Sequence, residues 1–197
     1  MKIVHVETVL SCGTYAKSKH WQQTRAVIHD AVKKCDWPPN SGKFTIHPEI
    51  DGNGVVPIRK EFIANLKKRQ WTIEGPAKNL LGQNLGDFDA VIAGPEGFIV
   101  AEWETGNISS SHRSMNKLTM LVADKVIAAG VLIVPSRNLY VYLTDRIGNY
   151  RELEPYLNLW KSVPCKSGVL EIVVIEHDAE SNDVPKIPKG TDGRAKG

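Results

Sequence analysis

The sequence predicts a mixed α/β fold: a central sheet of about five strands with helices on both faces. Three observations lead there. Apolar runs of strand length recur at 88–93, 98–103, 131–134, 139–143 and 169–175. Segments at 17–35, 59–70 and 106–129 instead repeat their apolar residues every three or four positions, as a helix face does. The chain has 197 residues, 42% apolar and 24% charged, which suits one domain with a real core.

Taken in order, residues 2–10 carry Ile3, Val4, Val6, Val9 and Leu10 and suit a short strand. Residues 17–35 place Trp21, Thr24, Val27, Ile28, Ala31, Val32 and Cys35 on one helical stripe, best read as core, and Trp37-Pro38-Pro39 ends that helix. Asp51-Gly-Asn-Gly is a turn. A helix near 59–70 follows, with Phe62, Ile63 and Leu66 on one side and Lys67, Lys68 and Arg69 at its end, where cations suit the helix dipole. Glu74-Gly75-Pro76 reads as a loop. Gly94-Pro95-Glu96-Gly97 is the turn of a hairpin between the 88–93 and 98–103 strands. A helix starts near Gly106-Asn107 and runs to about 129, with Met115, Leu118, Val122 and Val126 inward. Strands at 131–134 and 139–143, a helix at 152–160 and a strand at 169–175 complete the core. From Asp178 the chain is polar and rich in Pro, Gly and Lys, a composition that suits a disordered tail.

The hairpin carries acids that a fold alone would avoid. Pairing Ala93 with Phe98 and counting outward sets Asp89 opposite Glu102, and Glu104 shares the side of Glu102. Like charges facing each other destabilise a sheet, so something positive should offset them. A divalent cation held by these oxygens is the simplest candidate, with the Trp103 main-chain carbonyl as a further ligand. The competing reading is a solvated rim of acids neutralised by lysines. Against it, Val91, Ile92, Ile99 and Val100 are apolar on both sides, and no lysine lies in the hairpin. Several carboxylates around two cations are what metal-assisted phosphodiester cleavage needs. Glu74 could reach the same place, although spacing alone favours a loop salt bridge.

Asn107, Ser109, Ser110, Ser111, His112 and Arg113 crowd the helix start that follows the acids. A helix N-terminus favours a phosphate, and Asn and Arg have the fork geometry for adenine and guanine edges. His112 alone is more often a packing residue than a catalyst. Asp145-Arg146 at a strand end reads either as a weak surface ion pair or as a reader of a G·C pair.

Bulk properties exclude several classes. The net charge of +3 permits a polyanionic partner without demanding one. Cys12, Cys35 and Cys165 have no zinc or redox spacing and suit a reducing cytoplasm. No leader pattern and no membrane-length apolar run is visible, and Walker A, G-x-G-x-x-G and G-x-S-x-G motifs are absent.

With these residues in hand, the sequence resembles the BamHI family of type II restriction endonucleases. The stretch Glu102-Trp-Glu-Thr-Gly-Asn-Ile-Ser-Ser-Ser-His-Arg-Ser-Met-Asn-Lys117 is similar to that family's active-site strand and recognition helix. Blocks at 53–58, 142–146, 152–156 and 184–193 match in the same order, whereas the first 50 residues match only in outline. The resemblance implies a single endonuclease domain over 1–197 with a restriction-endonuclease-like PD-(D/E)xK core, residues 178–197 forming a polar, DNA-contacting arm. It further implies a bacterial, cytoplasmic homodimer that cuts double-stranded DNA at the palindrome GGATCC and leaves 5′ overhangs. Mg²⁺ would be the cofactor, replaceable by Mn²⁺, with Ca²⁺ occupying the site without supporting cleavage.

Position by position, the resemblance assigns Asp89, Glu102 and Glu104 as metal-binding carboxylates and Glu74 as the fourth acid. Glu104 stands where many related nucleases carry lysine and is similar to a ligand and candidate general base. Asn107, Ser109, Arg113, Asp145 and Arg146 match major-groove readers, and Asp192 and Gly193 match a minor-groove arm. The sequence departs from the family at Trp103, at a shorter loop between Glu74 and Asp89, and in the charges of 119–125 and Asn158 on the dimer-facing helices. Two other readings stay open: a DNA-binding protein that does not cleave, and a nuclease of similar core that serves DNA repair.

Overall fold

The computed structural model describes residues 1–144 and 147–189. Asp145, Arg146, Asp192 and Gly193, assigned to DNA from the sequence, lie outside the described residues. In chain order the main elements are β1 (Lys2–Cys12), α1 (Lys19–Lys33), β2 (Thr45–Ile46), α2 (Val56–Lys67), β3 (Thr72–Lys78), β4 (Asn84–Gly94), β5 (Gly97–Trp103), α3 (Ile108–Ala123), β6 (Ile127–Pro135), α4 (Arg137–Tyr140), α5 (Tyr150–Leu153), α6 (Leu157–Lys161), β7 (Gly168–Glu176) and β8 (Ala179–Glu180). Six strands form the main sheet in the order β1-β7-β6-β5-β4-β3. β5, β6 and β7 run parallel, and the remaining neighbours are antiparallel.

β6 is buried along its whole length and β7 along nearly all of it, as parallel strands covered on both faces are. Their alternate residues feed two cores. Ile133, Val131, Val173 and Ile175 pack with α1 and α2 through Ile28, Val32, Phe62 and Leu66. Leu132, Val134, Leu170 and Ile172 pack with α3 through Met115, Leu118, Leu121 and Val122, and with Trp160 of α6. Glu171 interrupts β7 at 4% exposure, and Arg25 of α1 reaches its carboxylate at 2.7 Å.

Three sequence expectations need correction. The supposed loop around Glu74-Gly75-Pro76 lies in β3, the sixth strand. Pro cannot donate to a ladder, but β3 is an edge strand, where that loss is tolerated. The expected strand at 139–143 is instead the short α4 and a turn. The Ser136 hydroxyl accepts the Leu139 N–H at 3.1 Å and caps that helix immediately after β6. The tail is folded further than its composition suggests. β8 pairs with β2, Ile187 is 1% exposed, and Asn53 accepts the Ile187 N–H at 3.1 Å. Pro155 accounts for a smaller difference: a 3₁₀ turn at Glu154–Tyr156 divides the expected helix into α5 and α6. Among the described residues no helix is long and apolar enough to cross a membrane.

Candidate active site

The β4–β5 ribbon holds the register expected from sequence, Ala93 facing Phe98 and Ala90 facing Ala101. Past Ala90 the ladder opens, and the next two acids fill the gap. The Asp89 N–H donates to Glu102 Oε2 at 3.1 Å, and the Trp103 N–H donates to Asp89 Oδ2 at 2.7 Å. Each carboxylate satisfies a main-chain donor that the parting strands would otherwise leave bare. Next to them β3 carries Glu74, whose backbone is left-handed at φ 57°. The β3–β4 register steps from Ile73–Ala90 to Gly75–Phe88, which leaves Glu74 level with Asp89.

The acids take different partners. Asp89 Oδ1 meets Arg59 Nη2 of α2 at 2.5 Å, while Glu102 Oε1 lies 2.5 Å from Lys117 Nζ of α3. These helices cover opposite faces of the sheet. Glu104, just beyond β5, accepts the Gly106 N–H at 2.8 Å and the Ser114 hydroxyl at 3.1 Å. Mutual repulsion is relieved by separate partners for each acid. The positive charge that the cluster needs is thus supplied by side chains from outside the hairpin. Among the described residues no group of three or more His, Cys, Asp or Glu is drawn close enough to hold an ion.

The acids nevertheless line one cavity of about 560 Å³. Asp87, Asp89, Glu102 and Glu104 face it together with Arg59, Arg113 and Lys117. Burial raises the pKa of Glu102, against the opposing pull of Lys117. Burial also raises that of Glu104, against its bonds to Gly106 and Ser114. The hydrogen bond to Asp89 raises that of Arg59, and the charge of Glu74 adds to the effect.

One atom stands out. Glu102 is 6% exposed, and its Oε1 is met among the described residues by the Lys117 ammonium alone, at 2.5 Å. Lys117 also donates to the Asp87 carbonyl at 3.0 Å, and its ammonium lies 4.9 Å from the centre of the Phe88 ring. A buried carboxylate oxygen held by a single ammonium, among other hard oxygen donors at a cavity wall, suits a magnesium-type cation once Lys117 and Arg59 yield.

The other expected residues divide. Arg113 is exposed and lines the cavity. Ser109 is exposed at the start of α3. Asn107 caps that helix by accepting the Ser110 N–H at 3.0 Å. Glu74 is exposed and is not among the residues lining the cavity. The Trp103 ring packs 4.9 Å from that of Phe62 on α2. His112 packs edge-on against Tyr156 at 4.5 Å, which fits the packing role. Sequence reasoning missed Arg59, Ser114 and Lys117. Helical spacing could have found the last two, because Arg113, Ser114 and Lys117 lie three and four positions apart on one face of α3.

The family model described as "Restriction endonuclease BamHI" matches residues 1–194. The chain is 48% identical over 196 residues to the type II restriction enzyme OkrAI of Oceanobacter kriegii, covering 99% of each chain. It is 35% identical over 189 residues to the type II restriction enzyme BamHI of Bacillus amyloliquefaciens, covering 92% of this chain and 86% of that protein. In fold it is similar to the restriction endonuclease BglII complexed with a DNA 16-mer, with a TM-score of 0.65 at 12% identity over 90% of this chain and 79% of that one. A family-model match over residues 1–194, with identities of 48% and 35% over 99% and 92% of the chain, makes this chain a member of the BamHI family of type II restriction endonucleases.

Proposed function

We propose that the protein is a Mg²⁺-dependent endonuclease that cuts both strands of GGATCC in double-stranded DNA, leaving 5′ overhangs with 5′-phosphate and 3′-hydroxyl ends. The observation that carries this reading is the buried Glu102, interlocked with Asp89 at a cavity wall that Glu104 also lines, beside the N-terminal turns of α3. The sequence specificity rests on the 48% and 35% identities to OkrAI and BamHI.

Asp89, Glu102, Glu104 and the Trp103 carbonyl would hold the cation, with Glu74 as an outer acid; Mn²⁺ would substitute, and Ca²⁺ would bind without cleavage. When bound, the cation supplies Lewis-acid polarisation of the phosphate and stabilises charge on the leaving 3′ oxygen. Glu104, its proton affinity raised by burial and its oxygens bonded by Gly106 and Ser114, would take the proton of the attacking water. Asn107, Ser109, Arg113, Asp145 and Arg146 would read the major groove, and Asp192 and Gly193 the minor groove. A palindrome calls for a twofold enzyme, so the working form is a homodimer of one endonuclease domain spanning residues 1–197, residing in the bacterial cytoplasm.

Incubation with plasmid DNA and Mg²⁺, followed by sequencing of the ends, tests the reading. Staggered cuts confined to GGATCC are expected. Specific binding without cleavage would indicate a binding protein, and ends unrelated to sequence would indicate a repair-type nuclease. Glu102→Ala should abolish cleavage while the circular dichroism spectrum stays that of the parent. Arg146→Ala should cost roughly 1–3 kcal/mol of discrimination at one base pair, read over a panel of single-base variants.

A further inference from the structure

Lys117 sits directly against Glu102, one of the proposed metal ligands. Its side chain is 11% exposed, and that of Glu102 is 8% exposed, so both charges are largely withdrawn from water. Such a pair is costly to bury and strongly destabilising to break on one side only. The ammonium, 2.5 Å from Glu102 Oε1, is the one partner of that oxygen among the described residues. The lysine's own anchors are the Asp87 carbonyl at 3.0 Å and the Phe88 ring at 4.9 Å, and both belong to β4. They remain in place if Glu102 is taken away. Lys117 can therefore give up the oxygen without becoming a stranded charge. Arg59 neutralises Asp89 in a parallel way, at 2.5 Å.

We infer that Lys117 is a resident counter-cation on Glu102, which a divalent cation must displace to enter the site. The inference rests on the metal seat proposed above and deepens it. An ion seated on Glu102 Oε1 would face the ammonium now 2.5 Å from that oxygen, and like charges so close repel, so metal occupancy is an exchange between the ion and the ammonium. The metal-free protein keeps its acids charge-balanced and folded through Lys117. The same lysine sets how readily an ion is taken up before DNA arrives, which makes it a positioning residue rather than a catalytic one.

Ca²⁺ binding to the full chain without DNA, followed by isothermal titration calorimetry, tests this. Lys117→Met removes the competitor while keeping the side-chain length. It should bind Ca²⁺ about tenfold more tightly than the parent, about 1.4 kcal/mol. Lys117→Arg restores a competing cation and should return the affinity towards the parental value. Glu102→Gln should remove binding in either background. A second readout is thermal unfolding, in which Lys117→Met should gain more from saturating Ca²⁺ than the parent does. Should Lys117→Met lose the parental near-UV dichroism, Lys117→Gln, which can still donate towards Asp87, takes its place. Equal or weaker Ca²⁺ binding in the neutral variant, with binding still dependent on Glu102, overturns the inference and leaves the seat standing. Absence of Ca²⁺ binding in both parent and neutral variant overturns the seat itself, and the inference with it.

Discussion

Glu102 is 6% exposed in a strand that is otherwise Gly, Phe, Ile, Val, Ala and Trp. A charge so placed persists because two neighbours meet it, the Asp89 N–H and the Lys117 ammonium. A different cost is visible on α1, where His29 Nε2 is buried without a hydrogen bond among the described residues and burial lowers its pKa to about 4. The folded protein then binds that proton only below about pH 4, whereas the unfolded chain binds it from about pH 6.5. Between those values the unfolded state holds more protons, so stability falls as the pH drops through this window. Urea unfolding at about pH 7.5 and about pH 5 should show a drop in the parent and a smaller one in His29→Gln. An equal drop in both would assign the acid sensitivity to other groups.

At the scale of elements, α3 does most to build the site. Its cap Asn107, its cavity residues Arg113 and Ser114, and Lys117 occupy successive turns. Asn107→Ala should cost about 1 kcal/mol in urea unfolding through loss of the cap. Asn107→Asp should keep that stability, since an acid suits a helix N-terminus, yet change the sequence preference of cleavage if this residue reads a base. β3 sits tightly against β4: a Cβ on Gly75 would come within 2.5 Å of the Val91 side chain. Gly75→Ala should therefore destabilise by about 1–3 kcal/mol and disturb Glu74 next to it. The β4–β5 register was legible in the sequence, because the turn at Gly94 and Gly97 and the flanking alternation admit one pairing. β3 was not, because Gly-Pro signals a turn unless the strand is known to be an edge. The 139–143 segment was misread because its apolar run is too short for periodicity to separate strand from helix.

For the whole molecule, two layers of helices and a six-stranded sheet bring distant charges to one cavity. The acids were legible because they sit close together in sequence. Their cations were not, since Arg59 lies 30 residues from Asp89 and on another element. The proposed dimer also belongs to this scale. Leu159 is 62% exposed beside the C-terminal half of α3, the region that the family resemblance assigns to the dimer contact. Leu159→Lys should shift the protein from dimer towards monomer in sedimentation velocity, and an unchanged dimer would move the contact elsewhere. The central claim is that acids of the β4–β5 mouth hold a divalent cation against DNA. Its most direct test is a crystal structure of the protein with a GGATCC duplex and Ca²⁺. The account predicts an ion bound by Asp89 and Glu102 next to a backbone phosphate, with Lys117 turned off Glu102. An ion bound elsewhere, or Lys117 still seated on Glu102 in a fully formed complex, would contradict it.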